Sequence, residues 1–330
     1  MQIIRHHIGV PRAAQAAIVA IGNFDGVHLG HQRVIGEAGR IAAELGVRHG
    51  ALTFEPHPRR FFRPEAPRFE LTPMHSKIRY IEAVGVDVLF MMEFDKAFSE
   101  KTAEQFVAEI VVEGIRARHL VVGYDFVFGH RRGGNIELLQ RLATDAGIGV
   151  TVVDAVLGAD GKPYSSSVVR TYLAEGKPGP AAELLGRCWE IEGVVQVGDR
   201  RGREIGFPTA NVDPGQYVGP ALGVYAVWAG VENGSETVWH PAVANIGRRP
   251  TFDGDGIVVE VYIFDYDGDL YGQILRIALV EFLRPEMKFD GVAAIRDQIT
   301  RDCEQARNII DAISEGDLRG PPCAVLKPAA

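Results

Sequence analysis

The sequence predicts an α/β domain built on a parallel, Rossmann-like sheet, followed by a small antiparallel β-barrel with a terminal helix. Apolar runs alternate with helix-period segments over the first 180 residues, and after the GKPGP stretch, Gly176 to Pro180, the period becomes strand-like. The 330 residues also exceed the ~100–200 usual for one domain. Two domains follow, 1–180 and 181–330.

In the first half, the run Ala16 to Ile21 ends in Gly22, and Val34, Ile35, Ala38, Ile41, Ala42 and Leu45 then recur at helical spacing. Further strand runs at Ala51–Phe54, Val86–Met91, Leu120–Val122 and Val150–Val153 alternate with helical stretches near Lys77–Ala83, Ala103–Val112 and Ile136–Ala146. Thr102 with Gln105 forms a capping box, and Asn135 caps the next helix. Such βα alternation gives a parallel sheet with ligands at the carboxyl ends of its strands. Between Glu55 and Pro73, four prolines leave no room for a helix, so this stretch reads as a long flap. In the second half, Trp189–Val197, Gly223–Val231, Val238–Ile246, Ile257–Phe264 and Gln273–Phe282 read as strands of a barrel. An amphipathic helix, about Val292 to Ile313, packs on it through Ile295, Ile299, Cys303, Ala306 and Ile310.

Composition narrows the function classes. With 46% hydrophobic and 24% charged residues the chain is a folded protein, and no apolar stretch approaches the ~20 residues of a membrane span. Residues Met1 to Gly9 contain no signal-peptide core, so a cytoplasmic location is expected. Cys188, Cys303 and Cys323 show no CxxC spacing, which argues against a zinc ribbon or redox pair. The net charge of −8 argues against nucleic-acid binding. Residues 1–180 hold 21 basic and 20 acidic side chains and residues 181–330 hold 14 and 23, which fits two units with separate tasks.

Ile21 to Gln32 reads IGNFDGVHLGHQ, a strand end and glycine turn with His28 and His31 three residues apart at a helix start. Both imidazoles share one helical face, and the free N–H groups and positive dipole end behind them suit a phosphate. The competing reading is a helix cap plus a surface histidine; a metal site lacks a third ligand at zinc spacing. TFEPHP (53–58), GYDFVFG (123–129) and SSSVVR (165–170) also fall at strand ends, and in the last a serine-capped helix brings hydroxyls and Arg170 toward one anion.

Gly198 to Asn211 reads GDRRGREIGFPTAN, glycines that let backbone N–H groups approach a phosphate chain, followed by the hard oxygen donors of Thr209 and Asn211, which suit Mg²⁺. No GxxxxGK[ST] motif is present, so this is not a P-loop. In IVVEVYIF (257–264), alternation puts Glu260 on one face with Val258 and Tyr262. A carboxylate between apolar neighbours is a candidate general base.

These motifs, in this order from about Ile18 to Ile310, resemble the prokaryotic bifunctional riboflavin kinase/FMN adenylyltransferase family, or FAD synthetase. The resemblance implies a nucleotidyltransferase fold with an HxGH signature, in which His28 and His31 bind ATP phosphates beside Gly22, Asn23, Phe24, Asp25 and Gly26. It implies that Ser165 and Arg170 hold the polyphosphate, and that Phe54, Pro56, His57, Pro58, Tyr124, Asp125 and Phe126 form the flavin pocket. In the kinase half it implies a nucleotide site at Gly198, Gly202, Arg203, Gly206, Thr209 and Asn211, with Mg²⁺ on Thr209 and Asn211 and Glu260 as base. The implied substrates are riboflavin, FMN and ATP, without nucleic-acid or membrane partners; homo-oligomerisation stays open. Ser167, Asn135 and Tyr262 stand where the family more often has Thr, Asp and His.

Overall fold

A computed structural model describes residues 1–158, 161–197, 202, 205–234, 236–251, 254–313, 317 and 320–321. Gly198, Arg203 and Cys323 lie outside the described residues. The chain divides into two compact units: Met1–Pro67 with Thr72–Ser165, and Arg68–Leu71 with Ser166–Cys323.

The first unit holds six parallel strands, β1 (Gln2–Ile4), β2 (Ile18–Ile21), β3 (His49–Glu55), β4 (Val88–Glu93), β5 (His119–Gly123) and β6 (Gly149–Val153), in the order β1-β4-β3-β2-β5-β6. All four residues of β2 are buried, as expected for a central strand covered on both faces. Helix α1 (Leu29–Leu45) covers one face, turning Val34, Ile35, Ala38, Ile41 and Ala42 inward. Its end is set by Gly46 at φ 63, the left-handed conformation that a glycine adopts without strain. Helix α2 (Pro58–Phe62) follows β3 and α3 (Met74–Ala83) follows the flap. Next come the short α4 (Lys96–Ser99) and α5 (Ala103–Gln105), the latter running on as a π-helix over Phe106–Gly114. That π-helix and α6 (Ile136–Asp145) bury Phe106, Ile110, Val111 and Leu139 against the other face. Fully burying each such side chain is worth roughly 1.5–3 kcal/mol.

The expected capping box is present, with Gln105 N–H donating to Thr102 Oγ1 at 3.2 Å and Thr102 N–H to Gln105 Oε1 at 2.9 Å. Asn135 caps α6 through Leu138 N–H at 2.9 Å. One expectation fails: the proline-rich flap contains α2. Pro58 occupies a first-turn position, where its missing N–H has no partner to lose, and His57 Nδ1 caps the helix by accepting from Arg59 N–H at 3.0 Å.

The second unit opens with α7 (Ser166–Ala174) and α8 (Pro178–Leu185), so the GKPGP stretch both ends one helix and starts the next. Six antiparallel strands then close into a barrel in the order β10-β11-β8-β7-β12-β9: β7 (Trp189–Gln196), β8 (Ala210–Val212), β9 (Gly223–Asn233), β10 (Glu236–Thr251), β11 (Gly254–Ile263) and β12 (Ile274–Pro285). Alternate residues such as Val212, Ala244, Ile246, Val259, Val261 and Leu275 fill the interior. Helix α9 (Val292–Asp311) lays Cys303, Ala306 and Ile310 on an outer apolar patch formed by Val224, Ala226, Val243 and Ala278. Arg284 Nη2 and Nε reach Asp302 Oδ2 and Oδ1 at 2.7 and 3.0 Å, a bidentate pair that fixes this helix to β12.

The segment Arg68–Leu71 threads into this second unit. Glu70 bridges Tyr217, Val218 N–H donates to Glu70 O at 2.8 Å, and Trp189 Nε1 donates to Leu71 O at 2.9 Å.

Candidate functional site

In the sheet unit the strand order reverses between β2 and β5, the switch point where the carboxyl ends of an open sheet form a crevice. The Gly22–His28 turn leaves β2, GYDFVFG leaves β5, and TFEPHP leaves the adjacent β3, so topology gathers three of the motifs on one edge.

The turn itself is tight. Phe24, Gly26 and Val27 have φ of 49, 86 and 41, left-handed values that Val in particular rarely adopts. Phe24 and Asp25 are buried, so their side chains build the turn. Gly26 N–H donates to Thr72 Oγ1 at 2.8 Å, Thr72 N–H to Asp25 Oδ1 at 3.0 Å, Thr53 Oγ1 to Asn23 O at 3.2 Å, and Gln32 Nε2 to Val27 O at 2.9 Å. Thr72, absent from every motif read in the sequence, thus belongs to this site.

His28 is the N-cap of α1: its Nδ1 accepts from His31 N–H at 3.2 Å, which places the proton of the neutral ring on Nε2. The two imidazoles stack with centroids 3.7 Å apart at 18°, and Phe24 meets His31 edge-on at 5.4 Å. Gly30 permits this, since a Cβ there would stand 3.0 Å from His28 Cε1. It would also lie 3.7 Å from Tyr164 O, which puts the residue before Ser165 beside the first turn of α1. Capping and a ligand role are therefore compatible: one ring nitrogen serves the helix and the other is a donor.

Tyr124 and Asp125 are exposed just beyond β5, while Phe126 stacks on Phe128 at 5.4 Å. Phe54 packs against Phe94 and Phe98 at 6.0 and 5.5 Å, and Phe94 in turn meets Phe61 and Phe62 of α2, so the flap helix rests on an aromatic cluster. Pro56 and His57 form the link from β3 to α2. Ser165 precedes α7 and closes the first unit. Arg170 lies in the second, its Nε donating to Phe69 O at 2.6 Å with the guanidinium 5.5 Å from the Phe69 ring.

In the barrel, register assembles the other site. Glu260 on β11 stands opposite Asn245 on β10 and Asn211 on β8, and Asn211 stands opposite Gln196 on β7. Directly opposed residues project to the same face, so these four form one polar row, all but Gln196 half-buried. Asn245 Nδ2 donates to Glu260 Oε2 at 3.4 Å. Thr209, two residues before Asn211, continues the donor set; a Cβ on Gly202 would collide with Phe207 O and fall 3.3 Å from Thr209 Oγ1, so the glycine admits the close approach of the Phe207 carbonyl. Gly206 turns the chain at φ 90, and Phe207 packs edge-on against Tyr262 at 5.4 Å. Burial raises the pKa of the Tyr262 hydroxyl, with the nearby Cys303 adding to the effect. The run Asn245 to Phe252 also matches the family in sequence, but no role was legible for Asn245, because the strand register is what brings it to Glu260.

Residues 10–168 match the FAD synthetase family and residues 185–310 the riboflavin kinase family. The chain is 38% identical over 306 residues to the bifunctional riboflavin kinase/FMN adenylyltransferase of Bacillus subtilis, covering 91% of this chain and 94% of that relative. It is 37% identical over 308 residues to the protein of that name from Haemophilus influenzae, covering 93% and 98%. The crystal structure of a macrolide-efflux protein from Streptococcus pneumoniae superposes with a TM-score of 0.82 at 30% identity, over 93% of this chain and 99% of that one, and so shares the fold. Among the described residues no helix is long and apolar enough to cross a membrane. Both halves match in the same order as in relatives covered nearly end to end, and the chain belongs to the family of bifunctional riboflavin kinase/FMN adenylyltransferases.

Proposed function

We propose that the barrel phosphorylates riboflavin and the sheet unit adenylylates the product, in the cytoplasm. Riboflavin, FMN and ATP are the substrates of the family, and ATP-dependent kinases and adenylyltransferases generally need a divalent metal. One observation carries the division of labour. The barrel site sets a carboxylate beside neutral oxygen donors, whereas the sheet site offers N–H donors and no carboxylate exposed within the Gly22–His31 turn.

In the kinase step the ribityl hydroxyl oxygen attacks the γ-phosphorus of ATP, ADP leaves, and Glu260 takes the hydroxyl proton. Asn245 donates to the carboxylate, and Asn211 stands opposite it across the β8–β11 ladder. Thr209 and Asn211 fit Mg²⁺, a hard cation that takes one or two protein oxygens and completes its shell with water and substrate phosphates. Bound there, the ion would neutralise phosphate charge. Gly202 and Gly206 shape the loop ahead of these donors, and Gly198 and Arg203 are assigned to the same nucleotide site.

In the adenylyl step a phosphate oxygen of FMN attacks the α-phosphorus of ATP, and pyrophosphate leaves. The nucleophile is already ionised, so no base is required. His28, His31 and the N-terminus of α1 stabilise charge developing on the α-phosphate, with Gly22, Asn23 and Gly26 shaping the turn that brings them to the nucleotide and Ser165 and Arg170 the remaining polyphosphate contacts. Phe54, Pro56, His57, Pro58, Tyr124, Asp125 and Phe126 receive the flavin.

Purified protein supplied with riboflavin, ATP and Mg²⁺ should accumulate FMN transiently and then FAD, followed by separating the flavins over time. Tight flavin binding without turnover would sink the reading in favour of a flavin sensor. The modules, taken as 1–180 and 181–330, should also separate. A fragment starting at Ala181 keeps every barrel strand and α9 and should still make FMN; a folded but inactive fragment beside an active parent would show that the halves depend on each other.

A further inference from the structure

Thr72 takes part in neither reaction as described, yet it meets the nucleotide turn at two points from 46 and 47 residues away. Its hydroxyl accepts from Gly26 N–H and its amide donates to Asp25 Oδ1. Thr72 and Asp25 are each 2% exposed, so water does not compete for these bonds. The peptides they hold lie between Phe24 and Val27, two non-glycine residues in the left-handed region. Such a backbone persists only where its surroundings over-determine it. Thr53 fixes the start of the turn at Asn23 O, Gln32 fixes its end at Val27 O, and Thr72 fixes the middle.

Thr72 is itself held along the chain, because α3 begins two residues later, where Lys77 N–H donates to Pro73 O at 3.0 Å. We propose that Thr72 is a positioning residue for adenylyl transfer. It locks the Asp25–Gly26 peptide so that the His28 ring and the N-terminus of α1, which the turn leads into, stay aimed at the phosphates of ATP. The inference rests on assigning the Gly22–His31 turn to that step, and Thr72 acts through the turn without touching substrate.

Thr72→Val keeps the shape but removes the hydroxyl that accepts from Gly26 N–H and donates to Asp25 Oδ1 at 3.5 Å, which leaves the strained turn free to relax. A shift of about 1 Å in a positioning element can cost ~10²-fold in rate. The test compares Thr72→Val, Thr72→Ser and the double variant His28→Ala/His31→Ala. For each, FAD formation from supplied FMN is followed with ATP and FMN varied separately, and riboflavin phosphorylation is measured on the same sample.

The expected result for Thr72→Val is a loss of about 10- to 100-fold in kcat/KM for ATP in FAD formation. Kinase activity should match the parent, and Ser should recover most of the loss. Thr72→Val at the parent rate beside a dead histidine variant overturns the inference and leaves the assignment of the turn standing. Parent-rate FAD formation by the histidine variant removes that assignment, and the inference with it. If Val and Ser are equally impaired, or if both activities fall together in Val, Thr72 only stabilises the fold and the proposal fails.

Discussion

Glu260→Gln should stop riboflavin phosphorylation while leaving FAD formation from supplied FMN at the parent rate. The amide keeps the size of the side chain and its place in the row between Asn245 and Asn211, but it cannot accept the ribityl proton. Loss of a general base costs ~10²–10⁴ in rate. Tyr262, two residues along the same face, cannot substitute, because a phenol is already protonated at neutral pH and burial raises its pKa further. Parent-rate phosphorylation of riboflavin by the Gln variant would remove Glu260 from the path of the proton.

How much of this was legible in the sequence differs by element, for physical reasons. The central strands were, because a strand buried on both faces must be a continuous apolar run, as Ile18–Ile21 is. So were the caps at Thr102 and Asn135, whose chemistry is local. Strand β1 is three residues with two of them exposed, and β8 is three residues that begin within the PTAN motif, too short in both cases for periodicity to register. The π-helix after α5 presents the same apolar spacing as an α-helix over so short a span. The nucleotide motifs were readable as residue types, but the partners that hold them were not. Asn245 reaches Glu260 through the β10–β11 register, and a one-residue slip would turn it to the opposite face. Thr72 reaches Gly26 only through the tertiary path of the flap, and no local rule marks a lone threonine before a proline as the clasp of a distant turn.

The converse variant, His28→Ala with His31→Ala, should abolish FAD formation and leave FMN formation near the parent rate, since the kinase residues lie wholly in the barrel unit. Each donor that acts as charge develops is worth ~10²–10³ in rate, so the pair should bring the step below detection. The structure adds a complication, because His28 also caps α1, and replacing a good cap by alanine costs ~0.5–2 kcal/mol. A dead double variant could therefore reflect a frayed helix start. His28→Asn separates the two roles: asparagine is among the best N-caps, so the first turn of α1 stays closed, while the imidazole and its stack on His31 are lost. If the ring's Nε2–H serves the α-phosphate, His28→Asn should still lose ~10²-fold or more in FAD formation, with thermal stability and kinase activity unchanged. Recovery of the parent rate by asparagine would reduce His28 to a cap, and charge stabilisation would then fall to His31 and the helix terminus.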